Sequence, residues 1–166
     1  MPGTYPMRIW ITPCSSHDSR RRRGSEKVTT NDLYDLAERE QVGVYAFRLK
    51  TRPGLSVQHE NGDCDIALDM DMIQTEAEEK TVLGHEMGHC MTGSFYNPYA
   101  LYDERQRNEN RANRWMFQNV IPFEEMREAM HSGIVTCWDL AEHFGVTEDT
   151  IKKAYQYYTG PCGLRF

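Results

Sequence analysis

The sequence predicts an α+β fold: a small antiparallel or mixed sheet beside one central helix, followed by a C-terminal helical lobe. Three observations carry this. Residues 76–91 form one uninterrupted helical pattern. Two short runs, 55–59 and 64–69, bracket Asn61-Gly62, a strong hairpin signature. After Pro122, three short amphipathic segments follow one another with caps and turns between them.

The elements follow in chain order. Residues 1–27 read as a solvated arm, with a basic block at Arg20–Arg23 that suits mobility better than phosphate contact. Residues 30–39 open the folded part as a helix, and residues 42–49 suggest a strand that joins the hairpin. Thr75 with Glu78 three residues later supplies a capping box for the central helix. On its wheel Val82, His85, Glu86 and His89 share one face; Leu83, Met87, Cys90 and Met91 make an apolar stripe. Gly84 and Gly88 fall on a third side, where another backbone can approach closely. The next helix places Glu109, Ala112, Asn113, Met116 and Val120 on one face. In the lobe, Met126 and Met130 face inward on the first helix. Thr136 caps a second helix with Trp138, Leu140 and Ala141 inward, and Thr147 caps a third with Ile151, Ala154, Tyr155 and Tyr158. The domain reading is therefore an arm over 1–27, a core over 28–122, a packed lobe over 123–160 and a tail over 161–166.

The chemistry concentrates at His85-Glu86-Met87-Gly88-His89, an H-E-x-x-H motif. Histidines four apart on a helix stand one turn above each other, so both imidazoles reach a single Zn²⁺. Glu86 is then placed to take a proton from a metal-bound water, the arrangement of a zinc hydrolase. Catalytic zinc sites commonly use three protein ligands and keep one position for water. Glu109 fits the third place: it is a carboxylate heading a small and apolar stripe, and it follows His89 by twenty residues, a gluzincin-like spacing. Glu104 falls on another side of that helix. Tyr96, Tyr99 and Tyr102, between the two ligand helices, are candidate oxyanion donors, with His131 and His143 weaker ones.

The runs Thr81-Val-Leu-Gly-His-Glu-Met-Gly-His-Cys90, Phe95-Tyr-Asn-Pro-Tyr99, Arg105-Gln-Arg-Asn-Glu-Asn-Arg-Ala-Asn113 and Ile121-Pro122 resemble the ImmA/IrrE family of metallo-endopeptidases, common in prophages and mobile elements of Gram-positive bacteria. The likeness spans residues 28–158 and continues through Trp138-Asp-Leu-Ala-Glu-His-Phe-Gly-Val-Thr147. It implies a zincin-like core with His85, His89 and Glu109 as zinc ligands and Glu86 as the catalytic carboxylate. It also implies that Ile66, Ala67 and Leu68 lie on an edge strand that pairs with substrate. Its implied substrate is one specific protein, typically a helix-turn-helix repressor encoded nearby. Relatives often carry His and Asp where this chain has Asn108 and Asn113. An aspartate there accepts a bond from a ligand histidine; Asn113 can do so through its carbonyl without the charge, which tunes the site rather than abolishing it.

Composition limits the alternatives. The 166 residues suit one compact unit, and the net charge of −6 argues against broad nucleic-acid binding. No apolar run approaches membrane-spanning length, and the first residues lack the order of a secretory signal, although Met7 offers a second possible start. Five cysteines, Cys14, Cys64, Cys90, Cys137 and Cys162, are odd in number and lack paired spacing, so they read as free thiols of a reducing cytoplasm, with Cys90 in the core. Residues 136–158 have the outline of a helix-turn-helix, but the mixed charges Glu148, Asp149, Lys152 and Lys153 suit packing better than DNA. Two rival functions stand beside peptide hydrolysis: a zinc-binding regulatory or toxin–antitoxin module that acts without cleavage, and a DNA-binding regulator.

Overall fold

A computed structural model of the chain describes residues 27–97 and 99–166. The expected arm over 1–27, with its arginine block and Cys14, lies outside the described residues except for Lys27. Helix α1 (Thr30–Arg39) starts at a capping box in which Thr29 Oγ1 accepts from Asp32 N–H and the Asp32 carboxylate accepts from Thr29 N–H. Leu33 and Ala37 turn its apolar side inward.

Three strands follow: β1 (Gly43–Ala46), β2 (Gly54–Gln58) and β3 (Cys64–Leu68). The sheet is mixed, in the order β1-β3-β2, with β1 parallel and β2 antiparallel to β3. Gly62 takes the left-handed φ of 92° that the hairpin turn requires. Asp69, just past β3, clamps the connection from β1 to β2: its carboxylate accepts from the backbone N–H of Leu49, Lys50 and Asp71.

This topology corrects the expectation for Ile66, Ala67 and Leu68. They occupy the central strand, bonded to β1 on one side and to β2 on the other, so their backbone has no free edge. Alternating burial, with Ile66 and Leu68 in the core, marks a strand covered on one face and says nothing about its neighbours. The exposed edge beside the central helix belongs to β2.

Helix α2 (Glu76–Thr92) begins at the expected Thr75–Glu78 capping box and ends at Gly93, which is left-handed with φ 59°. Leu83 and Met87 are fully buried beneath it. Helix α3 (Tyr102–Val120) packs on α2 through Ala112, Met116 and Val120. A Cβ on Gly88 would collide with the backbone carbonyl of Ala112, and one on Gly84 would touch Met116 and Val120. The two glycines therefore set how closely the helices approach.

Helices α4 (Phe123–His131), α5 (Cys137–Phe144) and α6 (Glu148–Thr159) complete the chain. They share one apolar core with the rest, through Met126, Leu140, Phe144, Ile151, Ala154 and Tyr158. Polar ties reinforce the contact: Tyr158 Oη donates to the carbonyls of Phe117 and Ile121, and Thr147 N–H donates to Thr81 Oγ1. Trp138 and Tyr155, expected inward, are largely exposed, because Leu140 and Ala141, and Ile151 and Ala154, already fill the inner faces of their short helices.

The cysteine reading needs a second correction. Cys64 and Cys90 form a disulfide that joins the start of β3 to the last turn of α2, while Cys137 and Cys162 are free. Their separation of 26 residues has none of the short spacing that advertises a pair. It is the packing of α2 on the sheet that brings the two sulfurs together.

Candidate metal centre

His85 and His89 stand one turn apart on α2, with imidazole centroids 4.8 Å apart and the rings nearly perpendicular. Each ring is held from behind. His85 Nδ1 donates to Asn113 Oδ1 at 3.0 Å, and His89 Nδ1 donates to the backbone carbonyl of Ser94 at 2.8 Å. With Nδ1 protonated in this way, both rings present the Nε2 lone pair forward. The two Nε2 atoms face each other at 3.1 Å. Glu109, carried in by α3, brings Oε2 to 3.1 Å from His85 Nε2 and Oε1 to 3.6 Å from His89 Nε2.

Two imine nitrogens and a carboxylate that converge in this way are all acceptors, and only a cation or a proton reconciles them. Ligands arranged tetrahedrally at about 2.0–2.1 Å from zinc stand about 3.3–3.4 Å apart. The nitrogens stand 3.1 Å apart and each faces a different oxygen of Glu109 at 3.1–3.6 Å, spacings close to that requirement, so the three side chains are placed to hold a single divalent ion.

The electrostatics agree. Burial works against a charged His85, but the hydrogen bond with Glu109 and the charges of Glu86 and Glu109 outweigh it and raise its pKa. The bonds from His85, then His89, hold the Glu109 carboxyl far below the usual carboxylate range. Tyr96 Oη donates to Glu109 at 2.6 Å, and burial together with that carboxylate pushes the phenol up to about 12.

Glu86 is 8% exposed and makes no hydrogen bond or ion pair among the described residues. Its carboxylate lies against Gly54 of β2, where an added Cβ would come within 3.0 Å of Oε1. A cavity of about 930 Å³ opens above these groups. Strand β2 forms one wall and α3 the opposite one, while the first turn of α6, with Thr147 and Thr150, closes the far end.

A family model described as the IrrE N-terminal-like domain, a peptidase family, matches residues 37–155. The chain belongs to the ImmA/IrrE family. No curated protein and no solved structure matches it. As a member of the ImmA/IrrE family it has a zincin-like α+β fold and a metallopeptidase-type site, and the family implies a divalent metal that His85, His89 and Glu109 are placed to bind.

Several expected residues of this ImmA/IrrE-family site do meet: His85, Glu86, His89, Glu109 and Asn113 all line the cavity, and Tyr96 joins them. Tyr99 and Tyr102 do not; they are 94% and 75% exposed, away from the cavity. His131 and His143 lie on the lobe, outside the cavity wall. Ser94 was not legible as a site residue. Its carbonyl orients His89, and its only advance sign was Gly93, whose left-handed turn folds the chain back onto the helix end. The resemblance likewise implies an edge at Ile66, Ala67 and Leu68, whereas β2 lies at the edge of the sheet and β3 at its centre.

Proposed function

We propose that this protein is a zinc-dependent endopeptidase that cuts one specific protein, a helix-turn-helix repressor of a mobile element. The single observation that carries the hydrolytic part is Glu86: a carboxylate on the cavity wall, with no hydrogen-bond or ion-pair partner among the described residues, beside three side chains placed to hold a metal. A module that only binds zinc has no need of it.

A zinc ion at His85, His89 and Glu109 would supply an acidified water and a polarised carbonyl. The protein's residues do the rest. Asn113 and Ser94 keep the imidazoles in the ligating tautomer. Glu86 accepts a proton from the attacking water and returns it to the leaving amine. The free edge of β2 accepts an extended substrate by strand addition, in the role first expected of Ile66, Ala67 and Leu68. Tyr96 is the one tyrosine of the three that lines the cavity, and its O–H would turn from Glu109 to serve the oxyanion.

The DNA-binding alternative finds less support. The first turn of α6 is tied to α2 through Thr147 and Thr81, and Lys152 and Lys153 are paired with Glu148 and Asp149. A repressor substrate would place the enzyme in the cytoplasm. The Cys64–Cys90 bridge stands against that placement, since such bridges are rare in reducing compartments. No helix among the described residues is long and apolar enough to cross a membrane.

The test mixes zinc-loaded protein with the repressor encoded by the neighbouring gene and reads fragments by mass spectrometry, with Glu86→Gln in parallel. The expected outcome is one defined cut, slowed about 10²–10⁴-fold by the substitution while zinc content is kept. Equal inactivation of the repressor by both proteins excludes catalysis.

A further inference from the structure

We propose that Thr92 is a positioning residue of the metal centre: acting through the Ser94 hydroxyl, it keeps His89 in the tautomer that leaves Nε2 free for an ion. The inference rests on the metal-site part of the peptidase reading and adds how this chain maintains that site.

Ser94 grips His89 from behind. The left-handed Gly93 turns the chain back, so that Ser94 N–H donates to the His89 carbonyl at 3.1 Å. Two Ser94 atoms then meet His89 Nδ1: the carbonyl oxygen at 2.8 Å and Oγ at 3.2 Å. Thr92 Oγ1 lies 2.7 Å from Ser94 Oγ and 2.7 Å from the Gly88 carbonyl. The second contact is ordinary for a threonine in a helix, which often bonds the carbonyl four residues back. The first is not. Ser94 is fully buried, so its hydroxyl must find a partner inside the protein.

The hydrogens of this chain have one consistent order. A carbonyl only accepts, so the Ser94 carbonyl requires His89 Nδ1 to be the donor. Ser94 Oγ–H then cannot donate to the same nitrogen. Among the described residues, Thr92 Oγ1 is the other acceptor within its reach. Thr92 has a single hydroxyl proton for two neighbours, and the Gly88 carbonyl, which can only accept, takes it. The order therefore runs from His89 Nδ1–H to Ser94, from Ser94 Oγ–H to Thr92, and from Thr92 Oγ1–H to Gly88.

Thr92 supplies the acceptor that holds the Ser94 proton away from the ring. Without that oxygen the Ser94 hydroxyl has His89 Nδ1, 3.2 Å away, as its remaining acceptor. A hydroxyl that donates there moves the ring proton to Nε2, and a protonated Nε2 cannot ligate. One oxygen on a residue outside the ligand set thus decides which nitrogen of His89 faces the ion with a lone pair.

The experiment compares the full-length native chain with Thr92→Val, Thr92→Ser, Ser94→Ala and the Thr92→Val/Ser94→Ala double variant. Valine fills the threonine volume, so no water takes the place of the lost oxygen. Zinc affinity is read by competition with a chromophoric chelator, and the melting temperature of each chain is taken. The tautomer of His89 is read in the metal-free proteins by nitrogen NMR at alkaline pH, where imidazoles are neutral. Thr92→Val should bind zinc about tenfold more weakly and shift His89 toward the Nε2–H form. Thr92→Ser and Ser94→Ala should stay close to native, the first because it keeps the hydroxyl, the second because it keeps the carbonyl and removes the competing proton. For the same reason the double variant should recover most of the affinity that Thr92→Val loses, which a merely structural role for Thr92 would not allow. Native affinity in Thr92→Val, or a double variant as weak as Thr92→Val alone, overturns the inference and leaves the metal site and the peptidase reading intact. If the native chain takes up no zinc, the metal reading fails, and the NMR comparison decides alone: a tautomer shift in Thr92→Val that the double variant reverses supports the inference, and identical His89 signals overturn it.

Discussion

An imidazole held at Nδ1 by an acceptor has one use left for Nε2, and that is the logic of this site residue by residue. Asn113 does for His85 what a carboxylate does more strongly, since it accepts the Nδ1 proton without adding charge. Asn113→Ala should therefore weaken zinc binding about 10–100-fold with the fold kept, and Asn113→Asp should strengthen it; competition with a chromophoric chelator measures both. Protons compete with zinc at the same atoms. The metal-free His85 has a raised pKa, so it binds a proton at a higher pH than a free histidine, whose value is about 6.5. Zinc needs the neutral ring, so apparent affinity should begin to fall while pH is still above about 6.5 and keep falling as pH drops. A chelator titration from alkaline to acid pH that shows flat affinity through that range would refute this. The ligand pair and Glu86 were legible because their spacing on a helix is itself the chemistry. Ser94 was not, since a backbone carbonyl carries no residue signature.

Among the elements, α2 is the hub: the sheet covers one side, α3 packs on another, and the lobe caps its start. The Cys64–Cys90 bridge fixes the sheet to the end of α2, one residue past His89. Closing a loop of 26 residues removes unfolded-state entropy worth about 3–4 kcal/mol. Oxidised protein should therefore melt well above the same protein reduced with a phosphine, and a Cys64→Ser/Cys90→Ser double variant should melt low in both conditions; a native melting temperature indifferent to reductant would contradict the bridge. The helices were read well from sequence, because caps such as Thr75 with Glu78 and the glycines 84 and 88 act locally and declare themselves. Strand order was not. A strand shows which face is buried, but partner choice depends on chain segments far away, and so a central strand such as β3 looks the same as an edge in the sequence. The bridge failed to appear for the same reason, since its two sulfurs meet only through tertiary packing.

At the scale of the whole molecule, one side chain joins parts that lie far apart in sequence. Lys80 is 4% exposed in α2, and its ammonium donates to the carbonyls of Val28, ahead of α1, and of Phe144, at the end of α5. Burial pushes its pKa down, while Asp32, Glu76 and Glu125 act the other way. The Phe144 carbonyl belongs to the last turn of α5, where no intrahelical donor is available and the helix dipole favours a cation. Lys80→Met keeps most of the stem and removes only the ammonium. Two buried carbonyls are then left without a donor, at about 1–3 kcal/mol each, less the desolvation no longer suffered by the charge. We expect a net loss of about 2–3 kcal/mol, visible as a lower denaturation midpoint. The loss should be uneven. Thr147, the N-cap of α6, and Thr150 in its first turn line the cleft and follow Phe144 by three and six residues, so releasing Phe144 frees that wall before it disturbs His85 or His89. Amide exchange should therefore quicken over α5 and α6 more than over α2, with zinc affinity retained. Uniform quickening across all three helices would mean that the lobe and core unfold as one unit, and that Lys80 stabilises the whole rather than joining its parts.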